Sequence, residues 1–244
     1  MRAVVSILDL YARRNLLRVL AALVLMAGLQ LGFYSIYFSK NPEAGLQGLE
    51  AIELPFVIIN FAAVVVISFF LSGMPSRASN RGYAVRLLRV SDTGVFFLDA
   101  LFNFLMFIMV WAVQAAVILV CMTMFAKGAS YVNGPQGVPV WVYSRLWLNW
   151  NIPMEHTVFW LEHLMVVVSM AFACASARVI FRRRRVSITF LLALVFYLLT
   201  GLSRHGYDRN AILPLLCLVC ATAGTMSASW SLKGGSRSEA DDAA

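Results

Sequence analysis

The sequence predicts an all-helical protein that crosses a membrane several times, and three observations carry that prediction. Of the 244 residues, 61% are hydrophobic and 13% are charged. That charged share is about half the ~25% of a soluble domain, too little to coat a water-facing surface. The apolar residues also gather into six continuous runs, five of them close to the ~20 residues a helix needs to cross the ~30 Å hydrocarbon core and the third longer. They lack the alternation, over segments of about ten residues, of a membrane β-barrel. Finally, the basic residues fall on alternate connecting segments. Together these features exclude a disordered chain, an ordinary nucleic-acid binder and a small soluble enzyme.

The expected spans cover residues 16–38, 54–74, 94–125, 157–180, 186–202 and 211–230, within a single transmembrane domain of residues 1–232. Ahead of the first, Val4, Ile7, Leu8 and Tyr11 fall at helical spacing on one face, with Arg2, Ser6, Asp9 and Arg13 opposite. That pattern predicts an amphipathic helix over residues 1–14, lying in the membrane interface before the chain turns into span one. The alternative is packing against the protein's own cytoplasmic loops. Arg13-Arg14 resembles a twin-arginine export signal, but the long apolar run behind it has no small-residue cleavage site, so it reads as a retained span.

Between spans two and three, the second half of segment 75–92 has helical spacing, with Arg86 and Arg89 on one face and Tyr83 and Leu87 on another. It reads either as a docking element for a cytoplasmic partner or as a plain basic connector. On the other side, segment 39–53 holds Glu43, Glu50 and Glu53. Segment 126–156 carries Tyr131, Trp141, Tyr143, Trp147 and Trp150, which suits a short interfacial or re-entrant helix near residues 140–150. Segment 203–210 is short and polar. The tail, 233–244, is rich in Gly, Ser, Asp and Ala and reads as a disordered cytoplasmic extension.

The formal charge of +8 is explained by position. Fifteen of the twenty Lys and Arg residues lie on one set of segments: Arg2 to Arg18, Arg77 to Arg89, Arg178 to Arg185, and Lys233 with Arg237. Cytoplasmic loops collect Lys and Arg, so both termini are expected inside the cell, in a multi-pass inner (plasma) membrane protein. The run Arg182–Arg185 is read as topogenic, with anionic lipid or nucleic acid as other possible uses, and no nucleic-acid partner is expected.

Chemical motifs are scarce. The three lysines, Lys40, Lys127 and Lys233, are followed by Asn, Gly and Gly, so no P-loop exists. No His-Glu-x-x-His or Gly-x-Ser-x-Gly occurs. The chain is therefore expected not to be an enzyme with its own nucleotide-hydrolysis motif, and to hold no metal or cofactor. Cys217 and Cys220 form a C-x-x-C in apolar surroundings, where two small hydrophobes on a helix face are the better reading than redox chemistry. Glu155-His156 and Glu162-His163 repeat seven residues apart, which fits an interfacial cluster, or alternatively a metal site or proton relay. Polar residues within lipid are expensive and face a bundle interior or a cavity. The candidates for a substrate pathway are Asn60, Asp99, Asn103, Gln114, Glu162 and His163, although Asp99 also suits the first turns of its helix.

The stretch Ser79-Asn80-Arg81-Gly82-Tyr83-Ala84-Val85-Arg86-Leu87-Leu88-Arg89-Val90-Ser91, with the six spans, the inside termini, the N-terminal amphipathic helix and the outer loop, resembles the membrane-spanning permease subunits of ABC-2 type ABC transporters. Segment 203–210 is too short for the outer helical hairpin that often precedes the last span of such permeases. The resemblance implies export driven by ATP bound to a separate ATPase subunit, with 80–91 as the coupling helix. Arg81, Tyr83, Arg86, Leu87 and Arg89 would be its docking residues. It also implies a second membrane subunit, identical or a sister. Two other classes stay open: a membrane assembly or immunity protein without transport, and a membrane redox or metal enzyme using Glu155, His156, Glu162 and His163.

Overall fold

The computed structural model describes residues 2–41, 45–72, 92–128 and 157–181, together with Leu194, Val195 and Tyr197. They form four long helices: α1, Arg2–Lys40; α2, Gly45–Ser72; α3, Asp92–Gly128; and α4, Thr157–Phe181. Leu194, Val195 and Tyr197 are helical too, and no strand occurs among the described residues. Three stretches are long and apolar enough to cross a membrane, Asn15–Lys40, Ala51–Ser72 and Gly94–Met124, and α4 contains a shorter apolar stretch, His163–Ala177. By length and composition this is a helical membrane protein. The 73–91 connection, the outer loop, the Cys217/Cys220 pair, span six, the tail and most of span five lie outside the described residues.

Helix α1 differs from expectation. It runs unbroken for 39 residues, with no turn between residues 14 and 16. The reason is local, because the sequence holds no Pro or Gly before Gly28, the residues best able to break a helix. Leu8, Tyr11 and Ala12 pack against the bundle core, and the Tyr11 ring centroid lies 5.9 Å from that of Phe102 on α3. The apolar face of the N-terminal segment is thus met, at least in part, by α3. The helix ends where Asn41 folds back on Tyr37, its N–H and side-chain Nδ2 both donating to that carbonyl at 3.0 and 3.1 Å. Helix α2 starts at Gly45 and runs through Pro55, so most of the expected outer segment 39–53 is helical. Ile52 is buried there and anchors the added turns beside Tyr34.

The four helices form a bundle in which α1 packs on α2 and α3, and α4 packs on α3 and α2. α2 and α3 also touch, and α1 and α4 stand at opposite corners. Contacts near the termini fix the directions. The Arg18 guanidinium lies 6.0 Å from the Phe70 ring, and Phe172 lies 6.0 Å from Phe96. The starts of α1 and α3 therefore share one end with the finishes of α2 and α4. The helix termini leading into the arginine-rich segments 77–89 and 182–185 all sit at that end, called the basic end below.

Helices α1 and α2 each bury one stripe at helical spacing. On α1 it is Asn15, Val19, Leu23, Met26, Gln30 and Tyr34; on α2 it is Ile52, Phe56, Asn60, Val64, Ile67 and Leu71. The outward faces are equally apolar: Leu17, Val24, Leu25, Leu29 and Ile36 on α1 are all exposed. In lipid, apolar area does not drive helices together, so close packing and interhelical hydrogen bonds must. Helix α4 supplies the close packing. Ala171, Ala173, Cys174, Ala175, Ser176 and Ala177 are each no more than 2% exposed. The Asn103 Nδ2 reaches the Ala171 carbonyl at 3.4 Å, and the Cys174 thiol lies 3.9 Å from that of Ser68.

The ion pair Arg13–Asp9, 2.9 Å apart, is solvent-exposed on both sides. Such pairs contribute little, so Arg13→Ala is expected to change stability by less than about 0.5 kcal/mol. Thermal unfolding in detergent checks this, and a larger loss would mean that the N-terminal turns depend on more than the packing of Leu8 and Tyr11.

Candidate functional site

The polar residues of the buried stripes fall at two levels. The first is a layer deep in the bundle. Asn60 is nine residues from the start and twelve from the end of its apolar stretch, placing it about 14 and 18 Å from the two ends, near the middle of a bilayer core. Asn60 Nδ2 donates to Gln114 Oε1 at 2.8 Å. Gln30 Nε2 donates to the same oxygen at 3.0 Å and to the Phe56 carbonyl at 3.1 Å. The Tyr197 hydroxyl donates to Asn60 Oδ1 at 2.6 Å. The layer thus ties together α1, α2, α3 and the segment carrying Tyr197.

One group sets the direction of this network. The Phe56 carbonyl can only accept, so Gln30 must present its NH2 there. Gln114 then meets Gln30 with its carbonyl oxygen, Asn60 meets that oxygen with its NH2, and Asn60 is left to accept from Tyr197. Helix backbone therefore selects one orientation for three amides, whose O and N atoms are otherwise interchangeable in shape.

A small cavity adjoins the layer, lined by Asn60, Trp111, Gln114, His163, Val167 and Tyr197 among others. His163 is buried, its ring stacked on Trp111 with centroids 5.2 Å apart, and Trp160 meets the same indole edge-on at 5.2 Å.

The second polar level lies toward the basic end. Asn103 precedes Gln114 by eleven residues, about 17 Å along α3. With it go the buried Asp99, and Asn15 and Ser68 on the neighbouring helices. The Asn103 Oδ1, the Ser68 hydroxyl and both side-chain polar atoms of Asn15 are buried with no hydrogen-bond partner among the described residues.

No protein-family model, curated protein or solved structure matches this chain. The site is therefore read from its own chemistry.

Of the six residues expected to face a pathway, the structure brings Asn60, Gln114 and His163 together around one cavity and puts Asp99 and Asn103 at the other level. Glu162 belongs to α4, but its side chain lies outside the described residues, as do Glu155, His156, Arg81, Tyr83, Arg86, Leu87 and Arg89. Among the described residues, no three His, Cys, Asp or Glu side chains converge as metal ligands would.

Sequence reasoning passed over Gln30, Asn15 and Tyr197. The first two were detectable. Gln30 is a lone amide between Leu29 and Leu31, and both residues fall on the spacing that buries Val19, Leu23 and Met26. Tyr197 gives no such signal, since a Tyr near a span end reads as an interfacial anchor. The described side chains around the cavity, amides, a phenol, an imidazole, an indole, a thioether and hydrocarbons, can hold helices in register, bind water or contact a neutral hydrogen-bonding group.

Proposed function

We propose that this chain is the permease subunit of an ATP-driven exporter of the ABC-2 type, coupled to a separate ATPase through cytoplasmic segment 80–91. In this reading the chain has six spans with both termini inside the cell, lies in the inner membrane and works with a second membrane subunit. ATP binds the partner ATPase, and Arg81, Tyr83, Arg86, Leu87 and Arg89 form the docking surface.

The observation that supports this reading most is the placement of the Asn60–Gln114 bond. Segment 73–91 joins α2 to α3, and these are the two helices that carry the bond. A force applied at the connection reaches the mid-membrane polar layer along both helices, through a core that is continuous from Leu71 and Phe102 to Val64 and Val110. Polar side chains at that depth are expensive to insert and are a mark of function in membrane proteins. A layer of amides is suited to the work, since such bonds exchange partners when helices shift by an ångström or two.

The test is charge reversal at the proposed dock. The variant Arg86→Glu/Arg89→Glu should still insert in the membrane, yet lose its complex with a Walker-type ATPase and the stimulation of ATP hydrolysis. Unchanged complex formation and stimulation would refute the docking role.

A further inference from the structure

We propose that the cavity beside Gln114 is a binding site for internal water, anchored by the Gln114 side-chain amide. Gln114 is fully buried, and its Nε2 finds no acceptor among the described residues. Its Oε1 is turned toward Gln30 and Asn60, which both donate to it. The planar amide therefore sends Nε2 to the other side, and Gln114, unlike Gln30, lines the cavity. A buried donor without an acceptor is costly in any apolar interior and most of all within lipid, so an acceptor is required there.

The size and chemistry of the space select water. It admits about one or two water molecules, and a buried water needs two to four polar partners. Gln114, Asn60, Tyr197 and His163 all face it. Among the described residues no Lys or Arg lines it, so a halide would sit in low dielectric without a counter-charge from them. No described carboxylate lines it either, so the described residues offer a divalent cation no charged ligand. Purely apolar cavities stay dry, but polar ones of this size hold conserved water. A water here gives Gln114 and Asn60, the two amides that line the cavity, a mobile partner, letting Gln114 turn without stranding a donor. The inference is independent of the ATPase reading and survives if that reading fails.

The experiment uses the full chain in nanodiscs of deuterated lipid, with glutamine side chains labelled with nitrogen-15. Magnetisation transfer from water protons to the Gln114 amide is recorded by NMR. A transfer signal from long-lived water is expected. It should be lost in Val110→Ile and, separately, in Val166→Ile, which fill the cavity and leave the amide network in place. Absence of transfer in the unmodified chain overturns the proposal. So does a signal that both filled variants retain, or a Gln114 shift that follows added bromide, which would assign the site to an anion.

Discussion

Gln114→Leu is expected to destabilise the bundle by about 1–3 kcal/mol, because it takes one shared acceptor from two buried amides at once. Leucine keeps nearly the volume of glutamine, so packing is largely retained and the loss reports on hydrogen bonding. Gln30 and Asn60 each lose their acceptor on α3. An unsatisfied buried donor costs about 1–3 kcal/mol in a soluble protein. Interhelical bonds measured in membranes are weaker, averaging ~0.6 and reaching ~1.7 kcal/mol. Two such losses, with Gln30 still partly held by the Phe56 carbonyl, give the stated range. A double-mutant cycle of Asn60→Leu with Gln114→Leu isolates the shared bond and should return a coupling near 1 kcal/mol. Reversible unfolding in mixed micelles provides both numbers. A neutral or stabilised Gln114→Leu would mean that the layer does not hold the helices together.

The second large effect is steric. Ala173→Leu should destabilise by about 1–3 kcal/mol or more, the usual cost of overpacking a filled core. Ala173 is fully buried within a run of small residues on α4. On either side of it, Asn103 reaches the backbone of α4 and Cys174 reaches that of α2. Three extra carbons must push α4 away from both neighbours. The matched control is Leu164→Ala on the outward face of the same helix, where Leu164 is 43% exposed; its effect should be small, since lipid replaces the lost contacts. If the two variants behave alike, α4 does not seat against the bundle as described. The same unfolding assay decides.

The helical class was legible from composition and run length, because a span must be about 20 apolar residues whatever its surroundings. Which side of each span faces inward was not legible from hydropathy. On α1, Leu25 and Leu29 are exposed while Leu23 and Met26 are buried, and the bilayer welcomes both pairs equally. The polar residues broke that degeneracy: Asn60, Asn103 and Gln114, read as inward from cost alone, are buried. The partners of Asn60 and Gln114 could not be foreseen, since Gln30 and Tyr197 are 84 and 137 residues away from them in sequence. The missing bend in α1 has a simpler cause. Amphipathic spacing over residues 1–14 predicts a helix and a preferred face, but says nothing of where that face is buried, and here α3 supplies part of the burial. The extension of α2 back to Gly45 reflects the same blindness, as carboxylates at Glu50 and Glu53 mask a stretch that Ile52 pins to the core.

The proposed function rests on coupling between the Asn60–Gln114 layer and a cytoplasmic motor. Its most direct test is isolation of the intact chain from its native membrane in mild detergent, with the complex weighed and its members identified by mass spectrometry. The account predicts a stoichiometric partner carrying a Walker A sequence, lost on charge reversal at Arg86 and Arg89. A stable native complex with no ATPase in it would contradict the account.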